Sequence, residues 1–253
     1  MQLTHQLSAA LILAIGTSSV FAAEDVNSKH QISGNIAVVS SYYMRGLTNA
    51  PENDKATIQG GLDYSHASGF YAGYWGSTIG YSLTDYDAER GEYTGSDTFE
   101  HDFYLGYNGS INDDWGYNLG AIYYYYYESD ADADALESVV GVNYKDLSLT
   151  AQTLWDDVNW GNTGDTYLLA AYSHPLPRDF TLNTSLGLYY YNDDASPYFE
   201  TTEDFGFRHL NVGLSHPLGN TGAEMSVQYV MGGYDIEKKK KKNKLVFGLS
   251  YSF

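Results

Sequence analysis

The feature that most constrains the fold is an alternation of side chains with period two, which recurs along nearly the whole chain. In the segment 99–109, Phe103, Leu105 and Tyr107 fall on one face, whereas Glu100 and Asp102 fall on the other. Successive side chains of a β-strand point to opposite faces of a sheet, so this segment predicts a strand with one apolar and one polar face. About twelve such segments lie near 32–43, 55–66, 69–80, 98–110, 115–127, 135–145, 147–155, 165–174, 179–191, 204–216, 221–232 and 243–253.

The connections between these segments are alternately short and long. Tight periplasmic turns alternating with longer external loops are typical of outer-membrane barrels. We therefore predict an all-β fold, a transmembrane antiparallel β-barrel of about 12 strands over residues 32–253, with both termini in the periplasm. A soluble β-sandwich is the alternative, since it also has alternating strands, but it does not require alternating connection lengths. The long connections lie near 44–54, 81–97, 128–134, 156–164, 192–203 and 233–242.

Composition excludes several classes of function. The chain has 13 Lys and Arg against 32 Asp and Glu, a formal net charge of -19, so phosphate repulsion argues against a nucleic-acid partner. It has no cysteine, which excludes disulfides, thiolate metal sites and a cysteine nucleophile. The 26 tyrosines and 26 glycines favour strands over helices. No cofactor and no metal site are predicted.

The N-terminus has the pattern of an export signal. Leu7–Ile15 is an apolar run too short to span a bilayer, and Val20-Phe21-Ala22 places small residues where a signal peptidase cuts. We predict a signal peptide over 1–22, a periplasmic segment over 23–31 and a mature chain in the outer membrane of a Gram-negative cell. The chain ends on Phe253, an aromatic residue that we expect the barrel-assembly machinery to recognise.

Charged and amide side chains in the polar phase are the candidates for lining a pore. Facing carboxylates with one or two arginines would favour the passage of cations; alternatively, these charges pair across the interior and fill it. Arg45 lies at the end of the first strand, where its side chain could belong either to the solvated rim of the pore or to a constriction. Arg208 is a candidate although strict alternation places it in the phase of Leu210 and Val212. The candidates are Asp63, Glu100, Asp102, Glu137, Arg208, Glu224, Gln228 and Arg45.

The only basic block lies in the last long connection. It could bind the anionic groups of outer-membrane lipid and lipopolysaccharide or attract anionic solutes, or it could be a solvated run. Its members are Lys238, Lys239, Lys240, Lys241, Lys242 and Lys244.

Several segments resemble the TorF porin family, which carries the Gcw-chp domain. The segments are 40–47 (SSYYMRGL), 58–66 (IQGGLDYSH), 68–77 (SGFYAGYWGS), 102–107 (DFYLGY) and 115–120 (WGYNLG). The resemblance covers nearly all of the mature chain and is most specific in its first half. It implies an outer-membrane barrel that acts as a pore.

The predicted function is therefore a porin that lets small hydrophilic solutes diffuse passively or with weak selectivity, with a preference for cations. One alternative is a non-conducting barrel whose external loops form a binding or adhesion surface. A second alternative is an outer-membrane lipid hydrolase, which needs a serine and a histidine on the lipid-facing surface. His101 falls in that phase, but no serine is tied to it and no G-x-S-x-G motif is present, so no catalytic residue and no enzyme activity are predicted.

Overall fold

The computed structural model describes residues 29–48, 55–79, 86–87, 92–93, 98–127, 129, 131–192 and 203–253. The predicted signal peptide lies outside these residues. The strands are β1 (His30–Val39), β2 (Thr57–His66), β3 (Phe70–Thr78), β4 (Tyr86–Asp87), β5 (Glu92–Tyr93), β6 (Phe99–Ser110), β7 (Trp115–Tyr127), β8 (Ala135–Tyr144), β9 (Leu147–Leu154), β10 (Thr166–Pro175), β11 (Thr181–Tyr190), β12 (Phe205–Pro217), β13 (Ala223–Gly232) and β14 (Lys244–Ser252).

All strands except β4 and β5 form one closed antiparallel barrel of twelve, which confirms the predicted architecture. Each barrel strand pairs with the barrel strands that precede and follow it in the chain, so that β3 pairs with β6. The first and last strands, β1 and β14, pair from Asn35–Ser252 to Val39–Gly248. Beyond that register, the amide of Phe253 donates to the carbonyl of Gly34 at 3.0 Å, and Gly34 donates back at 2.9 Å. Closure leaves the barrel without a free strand edge. The short strands β4 and β5 pair only with each other.

The two ends of the barrel differ in their connections. The turns after β2, β6, β8, β10 and β12 are short, and we call the end that carries them the short-turn end. The connections after β1, β3, β7, β9, β11 and β13 are longer and define the long-loop end. Both His30 and Phe253 lie at the short-turn end. The described residues contain no helix long and apolar enough for a bilayer crossing.

The outer surface is apolar and the interior is polar, the reverse of a soluble barrel. On β6, Phe103 and Leu105 point outward and are 49% and 56% exposed, whereas Glu100 and Asp102 point inward and are buried. Phe247 on β14 is likewise 56% exposed. This pattern is what a lipid-facing surface requires, since lipid solvates apolar side chains.

The interior changes character along the barrel axis. Near the short-turn end the inward side chains are small and carry hydroxyl or amide groups, as in the hydrogen bonds of Asn118 to Asn108 at 2.7 Å and of Ser173 to Asn183 at 2.9 Å. Near the long-loop end the inward side chains are large and buried, and Tyr124 is 2% exposed. Among the described residues, the interior near the long-loop end is therefore filled by large side chains.

Strand boundaries agree with the alternation to within two residues at nearly every position, and the exception is the end of the first strand. The sequence predicted a strand over 32–43, but β1 ends at Val39. Ser40 keeps the last contacts with β14, since its amide donates to Phe247 at 2.8 Å and its Oγ accepts from Phe247 at 3.0 Å. Tyr42 and Tyr43, which the sequence predicted to belong to this strand, lie beyond its end. Both are buried in the barrel interior.

Candidate functional site: a chain segment inside the barrel

The residues Ser40–Thr48, which we call the inserted segment, leave β1 at the long-loop end and enter the barrel. Consecutive side chains at 41–43 are all buried, so the segment does not alternate like a strand. Its amide and carbonyl groups are not part of the barrel ladder beyond Ser40. The segment is therefore held mainly through its side chains and one tight turn.

The turn spans Met44–Leu47, where the amide of Leu47 donates to the carbonyl of Met44 at 2.8 Å. Its two central residues, Arg45 and Gly46, have φ values of 46° and 77°. Glycine adopts this left-handed conformation without steric cost, and other residues rarely do. A Cβ at Gly46 would also lie 2.6 Å from the Cβ of His209 on β12. Position 46 is therefore restricted to glycine by its conformation and by its neighbour.

The turn projects the Arg45 side chain into the barrel, where its guanidinium meets Glu137 of β8. Nη1 donates to Glu137 Oε1 at 2.8 Å and Nη2 donates to Oε2 at 2.5 Å, which is the two-pronged pairing that guanidinium and carboxylate groups favour. Glu137 is completely buried and Arg45 is 7% exposed. Nη2 also donates to Gln152 Oε1 on β9 at 2.8 Å.

Three tyrosines complete the surroundings of the Arg45 guanidinium. The hydroxyl of Tyr189 accepts from Nη1 at 2.9 Å and that of Tyr124 accepts from Nη2 at 3.1 Å. The guanidinium carbon lies 4.8 Å from the centre of the Tyr167 ring, in cation–π geometry. We call these wall residues the guanidinium cage, which consists of Tyr124, Glu137, Gln152, Tyr167 and Tyr189.

A second arginine reaches the interior through a β-bulge. The pairing of β11 with β12 shifts register between Gly187 and Leu188, where Gly187 faces His209 and Leu188 faces Phe207. Arg208 is the extra residue, so it turns inward against the alternation that the sequence predicts. Its Nε donates to the carbonyl of Arg45 at 3.1 Å.

The inserted segment also has two tyrosines that hydrogen-bond to the barrel wall. Tyr42 donates to Glu100 Oε2 at 2.5 Å, and Tyr126 of β7 donates to the other oxygen of that carboxylate at 3.0 Å. The Tyr43 hydroxyl donates to the amide oxygen of Gln228 on β13. The segment thus contacts opposite sides of the barrel and spans its interior.

Asp102 differs from the other interior carboxylates. It is completely buried, and neither of its oxygens has a hydrogen-bond partner in the part of the chain that the structure describes. It lies close enough to Glu100, Glu137 and Arg45 to interact with them electrostatically. A buried carboxylate without partners is costly unless a positive charge or a proton compensates it. The interior at this level therefore holds more carboxyl groups than guanidinium groups.

The remaining predicted pore residues also lie inside the barrel but away from the cage. Asp63 on β2 accepts a hydrogen bond from the Tyr104 hydroxyl. Glu224 on β13 is 8% exposed and lies near the short-turn end, where it faces Ser250 of β14. The eight candidates thus share one interior, in which the side chains of Arg45 and Glu137 form an ion pair.

The lysines of the last long connection are in part engaged within the chain. Lys241 is buried and lies 2.7 Å from Asp235. Lys238 pairs with Glu203 at 2.8 Å. Lys240 lies 4.7 Å from the centre of the Tyr234 ring.

Other connections at the long-loop end are tied together by Asp165, between β9 and β10. Its oxygens accept from the amides of Asn162 at 3.0 Å and Asn192 at 2.8 Å. Burial raises the pKa of Asp165, and the two amide hydrogen bonds act against that rise.

His101 points outward from β6, as the alternation predicted. Its Nδ1 lies 2.9 Å from the Tyr74 hydroxyl, and its ring packs near those of Phe99 and Tyr125. Among the described residues, no three His, Asp or Glu side chains are grouped as metal ligands would be.

Sequence analysis did not identify four of the five cage residues. None of Tyr124, Tyr167, Tyr189 and Gln152 was predicted as a site residue. Their inward phase was available as a signal, since Leu168 and Leu188, for example, are outward neighbours of Tyr167 and Tyr189. Their convergence on Arg45 was not, since it depends on a segment that leaves the strand pattern.

Comparisons with known proteins agree with this architecture. A structure of the KdgM porin superposes with a TM-score of 0.56 at 11% identity, covering 87% of this chain and 99% of that one. A second, of the KdgM porin in complex with disordered oligogalacturonate, gives a TM-score of 0.53 at 12% identity and covers 88% and 98% of the two chains. At these identities the likeness concerns the fold alone.

A weaker structural match is the outer membrane phospholipase A of Escherichia coli, with a TM-score of 0.44, 12% identity and coverage of 87% and 91%. No curated protein sequence matches the chain significantly. The Gcw_chp family, described as a bacterial protein of unknown function, matches residues 23–251. Since this match spans nearly the whole sequence, the chain is a member of the Gcw_chp family.

Proposed function

We propose that this protein is an outer-membrane porin for small hydrophilic solutes and that the inserted segment is its gate, seen here in the closed position. The observation that carries the proposal is that a piece of chain outside the barrel ladder lies across a polar interior and contacts opposite walls. The segment is attached at Ser40 and held by side-chain contacts, so it can leave without breaking the barrel ladder. The TorF porins are the branch of the family to which we assign the chain.

The apolar outer surface supports a membrane location. We propose export by the signal peptide over 1–22, with the long loops outside the cell and both termini in the periplasm. Short turns on the periplasmic side and long loops on the external side are the usual arrangement of such barrels. Phe253, in the outward phase of the last strand, is the proposed contact for the barrel-assembly machinery.

A charge placed on this outer surface tests the membrane location. Val140 lies in the middle of β8 and is 55% exposed. Val140→Arg is expected to lower the free energy of unfolding in lipid vesicles by about 2–4 kcal/mol, because an arginine near the bilayer midplane is costly. Ser65→Arg, which adds the same charge on the inward face near the short-turn end, is the control. Equal effects of the two changes, measured by urea unfolding, would contradict a lipid-facing Val140.

Interior charge supports a preference for cations. Glu100, Asp102 and Glu137 face Arg45 at one level of the barrel, so carboxylates outnumber the guanidinium group there. Rings of carboxylates in a pore attract cations and repel anions. The basic block at Lys238–Lys242 and Lys244 is the proposed contact with lipopolysaccharide.

Conductance across a planar bilayer tests the porin function directly. The refolded barrel, verified by heat-modifiable mobility on a gel, is expected to show long closed periods and discrete openings. Arg45→Ala is expected to increase the open time, since it removes the contacts of the segment with the cage. In a salt gradient the reversal potential is expected to show that cations permeate more readily than anions. The double variant Glu100→Gln with Asp102→Asn is expected to weaken this preference for cations.

The closed interior also favours a second candidate, a non-conducting barrel whose external loops bind a partner. Under this hypothesis the inserted segment is a permanent plug. A folded barrel that passes no current, both as the native protein and as Arg45→Ala, would favour this candidate over the porin. We propose no enzymatic activity: among the described residues, the hydroxyl that contacts the outward-facing His101 is the phenol of Tyr74 and not the serine that a lipid hydrolase with a Ser-His pair needs.

A further inference from the structure

The guanidinium cage is built entirely by the barrel wall. Its five residues come from five consecutive strands, one each from β7, β8, β9, β10 and β11. Tyr167 is in register with Gln152 on one side and with Tyr189 on the other, so these three form a continuous row. The cage therefore persists when the inserted segment leaves, because none of its members belongs to the segment.

The chemistry of the cage is specific for a planar cation. Glu137 offers two carboxylate oxygens at the spacing of a guanidinium edge, and Gln152 offers an amide oxygen to the same group. The ring of Tyr167 covers one face of the guanidinium plane. An ammonium group is a point charge that cannot use the paired oxygens in this way, and a neutral urea lacks the charge that Glu137 requires.

We propose that the cage is a binding site for guanidinium-bearing solutes and that Arg45 occupies it as a tethered competitor. This inference rests on the proposed porin function and names the substrate class: small solutes with a guanidinium group, such as free arginine. When the inserted segment withdraws, a solute guanidinium replaces that of Arg45 in the same contacts. The closed state is thus the state in which the protein binds its own side chain.

The surroundings of the cage add to this preference. Asp102 is buried without a hydrogen-bond partner among the described residues and interacts electrostatically with Arg45 and Glu137. Glu100 is a further completely buried carboxylate on the same strand. Arg45 and Arg208, whose guanidinium carbon lies 5.0 Å from the centre of the Tyr189 ring, are fewer than these three carboxyl groups, which favours the entry of a cationic solute over a neutral one.

Because Arg45 is tethered to the barrel, its high local concentration determines how much free solute is needed to displace it from the cage. A ligand held by a short flexible linker acts at an effective concentration of about millimolar. A free guanidinium solute therefore has to reach that range, or bind the cage more tightly than Arg45 does, before it replaces the segment. Truncation of Arg45 removes this competition.

The experiment uses the barrel with Arg45→Ala and a probe that matches the missing atoms. Ethylguanidinium replaces the truncated side chain, and ethylurea is its neutral isostere. Isothermal titration of the detergent-solubilised barrel is expected to show ethylguanidinium binding at least tenfold more tightly than ethylurea. Adding Glu137→Gln in the same background is expected to weaken ethylguanidinium binding at least tenfold, whereas Glu224→Gln, at a buried carboxylate outside the cage, is expected to leave it unchanged.

Equal binding of the two probes, or binding that survives Glu137→Gln, would overturn the inference. The same probes added to open Arg45→Ala channels are expected to shorten the open time, with ethylguanidinium again the more potent. The two proposals can fail separately. A barrel that binds ethylguanidinium in the cage but passes no current overturns the porin function, and a conducting barrel that does not distinguish the probes overturns the cage.

Discussion

Glu137→Gln is expected to release the inserted segment while leaving the barrel folded. The change keeps the size of the side chain and one acceptor but removes the charge that balances Arg45. Removing one partner of a buried ion pair costs about 3–5 kcal/mol, because the other charge stays buried without compensation. At about 1.4 kcal/mol for each factor of ten, the population with a withdrawn segment rises by about a hundredfold to a thousandfold or more.

Trypsin cleavage after Arg45 measures this release, since Arg45 is buried in the closed state. When opening and closing are faster than cleavage, the cleavage rate follows the population of the open state. Mass spectrometry identifies the fragment that ends at Arg45 and separates it from cleavage in the lysine-rich loop. Glu224→Gln is the matched control, as it removes a buried interior carboxylate outside the cage. If Glu137→Gln and Glu224→Gln give the same rate as the native chain, the Arg45–Glu137 pair does not hold the segment.

The double variant Arg45→Met with Glu137→Leu separates the loss of charge balance from the loss of the pair itself. Replacing both members of a buried ion pair by apolar side chains of similar size is often close to neutral for stability. The double variant is therefore expected to keep the segment docked more firmly than Glu137→Gln alone. Because it lacks the trypsin site at Arg45, its closure is measured by channel open time.

Gly46→Ala is expected to prevent the inserted segment from docking. A side chain at φ of 77° costs about 1–2 kcal/mol in backbone strain. The new Cβ would also lie 2.6 Å from the Cβ of His209 and 3.0 Å from the carbonyl oxygen of Arg208. The second contact is with a backbone atom, which cannot move aside as a flexible side chain can. Overpacking of this kind is expected to add about 1–3 kcal/mol to the free-energy cost of docking. Trypsin cleavage after Arg45 and channel open time are both expected to rise.

Gly219→Ala provides the control for backbone strain. Gly219 lies in the turn between β12 and β13 with φ of 64°, and a Cβ there would meet nothing within 4 Å. The two alanine variants thus carry similar strain, but only Gly46→Ala meets the wall of the barrel. Gly219→Ala is expected to lower the stability of the barrel slightly without exposing Arg45. Equal exposure of Arg45 in both variants would contradict the proposed steric role of Gly46.

The strands could be predicted from sequence because each is a local pattern. The segment over 98–110, for example, was predicted from its alternation and corresponds to β6 at Phe99–Ser110. One face of each strand contacts the surroundings of the barrel and the other its interior, so polarity alone determines the phase. Closure into a barrel followed from the alternation of connection lengths.

The site could be predicted only in part, because it depends on two departures from that pattern. Arg208 points inward only because of the bulge opposite Gly187 and Leu188, where one extra residue inverts the phase of β12, so that Phe205 before the bulge and Val212 after it both face outward. The inserted segment begins where the sequence still suggests a strand. Its partners are distant along the chain: Glu137 is 92 residues from Arg45, and Tyr189 is 144 residues away. Period and composition carry no information on contacts of this range.

The position of the inserted segment directly after β1 has a consequence for the order of assembly. Arg45 is synthesised before every residue that binds it, and the last strand needed for closure, β14, is also the last to be made. The inserted segment therefore cannot dock on a partial sheet that lacks β7–β11, and we expect it to dock late in folding. Contacts between residues so far apart form slowly, because a long stretch of chain has to be ordered first. We expect a barrel whose strands have paired but whose inserted segment has not yet docked to be more permeable than the finished protein.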